Sequence, residues 1–291
     1  MNPAVDPFLN ELKTRTEVVD ESLRGAFEKF PWPRTTAIEN LKKSMGYSLL
    51  QAGGKRFRPH LTLLTAEAFA VNPRKVLPWA VAIEMVHTYS LIHDDLPCMD
   101  NDDIRRGQAT NHKVFGETTA LLSGDALLTE AFHFIANSFE QESAVGLRLI
   151  RLLGEAAGVL GMVGGQMIDL AAQKDQAVVD ELYLMHKMKT GALIRAAVEG
   201  SAAICGLPFE KVQLCRQFGE KLGLAFQIKD DLLDGVSDRF ENHSFPGILG
   251  KDESKKILEQ VSFEANEILS SLGLTKNLLN ELVSYNLNRE L

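Results

Sequence analysis

The chain has 291 residues, enough for one large domain or two small ones around a sizeable core. Its 31 Lys and Arg against 39 Asp and Glu leave a net charge of −8, which excludes a general nucleic-acid binder, and 45% hydrophobic residues exclude wholesale disorder. Three cysteines, Cys98, Cys205 and Cys215, are too few and too odd for a disulfide scaffold and suit a reducing compartment.

In chain order, the opening MNPAVDPFLNELKTR lacks the basic-then-apolar sequence of a signal peptide. No uncharged apolar stretch approaches the roughly 20 residues that cross a bilayer, so the expectation is a soluble cytoplasmic protein. Ala37, Ile38, Leu41, Met45, Leu49 and Leu50 recur at steps of three and four and predict a helix over 36–52. The same periodicity predicts helices over 60–71, 78–95, 117–138, 143–163, 177–203, 208–233 and 254–271. Turn chemistry falls between them, at Pro31 and Pro33, Gly53-Gly54, Asn72-Pro73, Gly206 with Pro208, and the run from Gly235 to Gly250. The reading is all-α, one multi-helix domain over 1–291, without repeats or dividing linkers.

Two of the most apolar helices end in acid. The first ending is Asp94-Asp95-Leu96-Pro97-Cys98-Met99-Asp100 and the second is Asp230-Asp231-Leu232-Leu233-Asp234. Carboxylates crowded together repel one another unless a cation binds among them, and Mg²⁺ takes oxygen ligands of this kind together with substrate phosphates. Asp230 and Asp234 stand four apart, one above the other about 6 Å along a helix. Asp94 and Asp100 stand six apart, and Pro97 permits the turn that folds Asp100 back towards Asp94. A solvated helix end explains either cluster alone; two clusters, each closing a core helix, favour a metal site.

Basic residues gather at three places: the glycine turn Gly53-Gly54-Lys55-Arg56-Phe57-Arg58-Pro59, the pair Arg105-Arg106, and Lys187 with Lys189 before Thr190-Gly191. Glycine lets backbone N–H groups converge on an anion while Lys and Arg supply charge, which suits more than one diphosphate. Lys189 and Thr190 interrupt an amphipathic helix, either as a kink or to present an ammonium and a hydroxyl to a phosphate. His87, Ser90 and Asp94 share one helix face, and Gln227 shares the face of Asp230 and Asp234. Gly161, Gly164 and Gly165 ahead of Gln166 and Asp169 suggest a close helix approach with a polar pair behind it.

The segments GGKRFRP (53–59), HTYSLIHDDLPCMDNDDIRRG (87–107), GGQMIDL (164–170), HKMKTGALI (186–194) and FQIKDDLLD (226–234) resemble those of the trans-polyprenyl diphosphate synthases, the bacterial farnesyl diphosphate synthases most of all. The resemblance spans roughly 50 to 250 in order and spacing. It implies an isoprenoid-synthase-type bundle around a deep central cavity, a homodimer, and head-to-tail condensation of isopentenyl diphosphate with an allylic diphosphate. It implies Mg²⁺ held by Asp94, Asp100 and Asp230, with Asp95, Asp231 and Asp234 as further ligands or holders of ligating waters. Arg105, Lys189, Thr190 and Gln227 would meet the allylic diphosphate; Gly54, Lys55, Arg58, His87 and Arg106 would meet isopentenyl diphosphate.

Tyr89 lies five residues before Asp94, about 7.5 Å down the helix, where with Ser90 it would set product length. By resemblance, an aromatic there together with the longer first motif points to a C15 product. The alternatives are a geranylgeranyl or mixed-length synthase, a non-catalytic subunit of a heteromeric synthase, and a terpene cyclase. The cyclase is disfavoured because the glycine turn serves a second diphosphate. One departure stands out: the link Gly235 to Pro246 is short and lacks the lysines that family members carry there.

Overall fold

The computed structural model describes residues 7–50, 54–172, 178–234 and 244–290. Gly53 and residues 235–243 of the short link lie outside the described residues. Internal contacts gather into two compact units, Met1–Leu63 with Val76–Ile150 and Leu64–Lys75 with Arg151–Leu291.

The first unit is built on helix α4, Leu77–Asp94, in which every residue from Trp79 to Val86 is buried. A helix apolar most of the way round is driven to the centre, because any exposed face would leave apolar surface in water. Around it pack α1 (Pro7–Glu28), α2 (Thr36–Leu49) and α6 (Glu117–Ser138). Thr35 caps α2 by accepting a hydrogen bond from the Ile38 N–H. The start of α3, Phe57–Ala68, belongs to this unit and carries Pro59 in its first turn, as the sequence predicts. A two-residue hairpin, Ile104–Arg105 against Gln108–Ala109, precedes the short α5, Asn111–Phe115. It is the one strand pairing among the described residues.

The second unit is centred on α10, Ala192–Ile204, buried from Ala192 to Ser201, and on α11, Phe209–Asp234. Glycines let the two approach: a Cβ on Gly219 would lie 2.8 Å from Arg195 Cα, and one on Gly223 would lie 2.8 Å from Gly191 Cα. The end of α7 (Ser143–Ala157, of this unit from Arg151 on), with α8 (Met162–Ala172), α9 (Val179–His186), α12 (Phe245–Leu249), α13 (Lys251–Ser271) and α14 (Leu278–Asn288), also belongs here. Ile228 and Phe245 sit with Leu182, Met185 and Leu258 in a core that fixes the last turns of α11.

The periodicity finds α6 to the residue and α2, α3, α4, α11 and α13 to within a few positions, while α1, α5, α12 and α14, and α8 beyond Val163, fall outside every predicted helix. Two corrections follow. The predicted helix 143–163 ends at Ala157, since Gly158 and Gly161 supply a turn before α8. The predicted helix 177–203 contains a π-helical turn over Lys187–Gly191, between α9 and α10. Such single π turns widen a helix locally and are frequent at functional sites.

Candidate active site

In the first unit, α4 ends at Asp94, and the chain turns through Leu96 and Pro97 so that the Asp100 N–H donates to the Asp94 carbonyl at 2.9 Å. The Asn101 N–H returns to the Leu96 carbonyl at 3.1 Å, with Asn101 itself in the left-handed region at φ 55°. The turn expected of Pro97 is therefore present, and it brings Asp100 to Asp94. Asp94 is half-buried and Asp100 exposed. Asp95 is turned inward instead: it is buried, and its Oδ1 accepts from Arg105 Nε at 2.6 Å, while Asp102 takes the same guanidinium at 3.3 Å. Burial pushes the Asp95 carboxyl up against the opposing pull of Arg105.

The basic turn divides its cations. Arg56 is buried at φ 45° and is spent on structure, donating to Glu84 at 2.7 Å, Asp20 at 2.8 Å and the Leu49 carbonyl at 3.1 Å. Lys55 is exposed and Arg58 half-buried. At Gly54 the two guanidinium groups come close, a Cβ there falling 2.9 Å from Arg106 Nη1 and 3.1 Å from Arg56 Nη1. His87 registers the resulting field: burial first, then Arg58, Arg106, Arg105 and Arg56, hold its pKa well below the ordinary value. A neutral imidazole that feels the charge of four guanidinium groups marks a place where an anion gains.

Further back along α4, Ser90 donates to the His87 carbonyl at 2.9 Å. Tyr89 is buried, and its hydroxyl has no hydrogen-bond partner among the described residues. Its ring meets His93 edge-on at 5.7 Å, and His93 Nε2 lies 2.9 Å from the Leu121 carbonyl on α6. Burial, then Asp94, pushes the Tyr89 hydroxyl up to about 12.

In the second unit, the π turn presents Lys189 and Thr190. Lys189 Nζ is ion-paired with Asp169 of α8, so Asp169 is the polar partner suggested by the glycine run. The close approach is real: a Cβ on Gly165 would lie 2.2 Å from Lys189 N. Thr190 Oγ1 donates to Gln227 Oε1 at 2.8 Å, and Gln227 Nε2 donates to Asp231 Oδ1 at 2.9 Å. Gln227 therefore joins the π turn to Asp231 rather than standing with Asp230 and Asp234 alone. Asp231 Oδ2 accepts from the Phe245 N–H at 2.9 Å and lies 3.3 Å from His186 Nε2, whose ring stacks on Phe245. Burial raises the Asp231 carboxyl, but His186, the Phe245 N–H and Gln227 together bring it below the ordinary value.

Asp230 and Asp234 lie on the last turns of α11, Asp230 half-buried and Asp234 exposed, with Arg289 of the chain terminus paired to Asp230. Sequence reasoning missed Arg289 and did not foresee the inward capture of Arg56 by Glu84. Neither partner is close in sequence, so no spacing signals either pair.

The donor set fits a hard divalent cation. Among the described residues, no three His, Cys, Asp or Glu side chains converge as a ready ligand cage. Mg²⁺ asks for none, since it keeps waters and takes one or two carboxylates before substrate phosphates complete it. Asp94 ends α4 and Asp234 ends α11, where the negative end of each helix dipole adds to carboxylate charge and attracts cations.

Comparison with known proteins agrees. The polyprenyl synthetase family model matches residues 39–245, and the chain belongs to that family. It is 41% identical over 285 residues to the farnesyl diphosphate synthase of Bacillus subtilis, covering 93% of this chain and 94% of the relative. Among solved structures it is similar to an FPP/GFPP synthase from Zymomonas mobilis, with a TM-score of 0.87, 36% identity, and coverage of 96% of this chain and 99% of that one. It is also similar to a geranyltransferase from Legionella pneumophila, with a TM-score of 0.88, 30% identity and 97% coverage of both chains. The fold is thus the all-α type of these synthases, and the chain is an enzyme of the prenyltransferase class.

Proposed function

We propose that the chain condenses isopentenyl diphosphate with dimethylallyl and then geranyl diphosphate, releasing pyrophosphate and giving farnesyl diphosphate. The observation that carries this reading is the return of Asp100 to Asp94 at the end of a buried helix, in a chain of this family. Residues 1–291 work as one polyprenyl-synthase-like domain; the family match at 39–245 draws on both compact units.

Asp94, Asp100 and Asp230 would hold Mg²⁺ on the allylic diphosphate, with Asp234 beside Asp230. Bound there, Mg²⁺ would supply the positive charge that lets diphosphate leave from the allylic carbon. Asp95 and Asp231, both engaged by protein donors, act by aim: Asp95 orients Arg105, and Asp231 orients Gln227 and Thr190. Lys189, set by Asp169, and Arg105 meet the allylic diphosphate. Gly54, Lys55, Arg58, His87 and Arg106 receive isopentenyl diphosphate, where a second diphosphate balances the guanidinium charge sensed by His87. The alkene carbon attacks the cation, and the departed diphosphate takes the proton.

Tyr89, with Ser90 beside it, limits the product to C15. A longer product is the second reading, favoured by the Zymomonas relative described as an FPP/GFPP synthase. No described helix is long and apolar enough to cross a membrane, and we place the enzyme in the cytoplasm. Exposed Leu121 and Leu122 on α6, and Val159, Leu160 and Met167 around α8, support a homodimer, which light scattering tests.

Purified protein given both C5 diphosphates and Mg²⁺ should form C15 diphosphate, read by mass spectrometry after dephosphorylation. No product above an EDTA control overturns the assignment; C20 as the main product favours the second reading.

A further inference from the structure

Just past α14, Arg289 makes an unusual set of contacts. Helix α14 ends at Asn288, and Arg289 leaves it extended at ψ 142° while its N–H still returns to the Tyr285 carbonyl at 2.8 Å. From there its guanidinium reaches α11. It pairs with Asp230 Oδ1, donates to the Phe226 carbonyl at 3.3 Å and to Asn286 Oδ1 at 3.1 Å, and lies 4.7 Å from the centre of the Phe226 ring. Lys229 fastens the same stretch, donating to the Leu287 carbonyl at 3.0 Å. The Arg289 side chain is only 8% exposed, whereas Asp230 is 30% exposed and open to a hydrated ion.

A guanidinium on Asp230 Oδ1 and a divalent ion on the same carboxylate repel each other and share its acceptor sites, so each weakens the other's hold. Asp230 shares the last turns of α11 with Asp231 and Asp234, next to the negative end of the helix dipole. Without a counter-charge, that concentration of acid is self-repelling. Arg289 supplies a counter-charge on the carboxylate that a divalent ion would use.

We propose that Arg289 is a positioning residue: it holds Asp230 in the free protein and surrenders it to the arriving metal–diphosphate, which unlatches the end of α14. The proposal rests on the reading of Asp230 as a metal ligand. Its consequence is that part of the metal's binding energy is spent displacing a guanidinium, so free metal binds poorly and a metal arriving with diphosphate binds well. Phe226 and Asn286 remain as alternative holds for the released arginine, so the terminus shifts without unfolding.

The experiment uses the full chain, with Mg²⁺ and inorganic pyrophosphate as the probe. Calorimetric titration of Mg²⁺ at saturating pyrophosphate should give Arg289→Gln an apparent Kd about three- to tenfold tighter than wild type, the range of a half-exposed ion pair. Arg289→Lys, which keeps the charge without the fork, should fall between them. Hydrogen exchange supplies a readout independent of turnover: amides 286–290 of the wild type should exchange faster once Mg²⁺ and pyrophosphate bind, and those of Asp230→Asn should not respond. Unchanged or weaker metal binding by Arg289→Gln, or greater protection of 286–290 on loading, overturns the latch while leaving the metal role of Asp230 standing. If Asp230→Asn binds Mg²⁺ and pyrophosphate as the wild type does, the reading of Asp230 itself falls, and the latch with it.

Discussion

Asp100 and Asp94 are joined through the backbone, the N–H of one donating to the carbonyl of the other at 2.9 Å across a turn that begins at Pro97. The bond brings together the backbones of two acidic residues that a straight helix would hold apart. Removing either negative charge should therefore damage chemistry and spare the fold. Asp94→Asn and Asp100→Asn are each expected to lower kcat by about 10²- to 10³-fold, the cost of losing one strong electrostatic contact to a leaving group. Far-UV circular dichroism and the urea midpoint should stay near those of the wild type.

Gly165 has no room for a side chain, since its Cβ would fall 2.2 Å from the backbone nitrogen of Lys189. Gly165→Ala must push α8 away from the π turn. The expected cost is about 1–3 kcal/mol in a urea titration, typical of overpacking. Because Asp169 lies on the same helix and holds Lys189, the KM for geranyl diphosphate should rise as well. A stable variant with an unchanged KM would show that the approach is not tight.

Tyr89 separates two effects that are usually tangled. Its ring is the proposed floor, but its buried hydroxyl finds no partner among the described residues. Tyr89→Phe should leave product length at C15 and hold or raise stability by up to about 1 kcal/mol, because an unsatisfied polar group is removed. Tyr89→Ala should lengthen the product. Mass spectrometry of the two variants side by side reads both, and an unchanged product from Tyr89→Ala would reject the floor.

These expectations show where the sequence speaks plainly. Asp94 and Asp100, and the helices that carry the acidic clusters, follow from local pattern: apolar period, a proline, and charge at a helix end. The close approach at Gly165 was legible for the same reason, since clustered glycines ahead of a polar pair have few uses. Arg56 was not legible. Three cations within four residues read alike, and only Glu84, 28 residues on and buried on α4, decides that the middle one turns inward. Arg289 and Asp230 lie 59 residues apart, and their pairing depends on how α14 packs against α11. The π turn at Lys187–Gly191 is likewise a product of packing, because the same residues also fit a continuous helix.

His60 makes a prediction about acid. It is buried, its Nε2 lies 3.0 Å from Thr16 Oγ1 on α1, and burial, then Arg15 and Arg56, lowers its pKa to about 4. The folded state thus prefers the neutral ring. Its contribution is complete above the unfolded value of about 6.5 and is lost as the pH falls through 4. Between pH 7 and pH 4 the stability of the wild type should drop by about 3 kcal/mol more than that of His60→Gln, at up to about 1.4 kcal/mol per pH unit. Parallel urea titrations of both proteins measure the difference, and equal slopes would contradict it.

The central claim is that both acidic clusters serve one ionisation, and a double-mutant cycle on kcat with geranyl and isopentenyl diphosphates tests it most directly. Asp94→Asn and Asp230→Asn should each slow product formation by about two orders of magnitude or more, and the double variant should be far less impaired than the product of the two effects. Independent, multiplicative losses, or a kcat for either single variant within twofold of the wild type, would contradict the account.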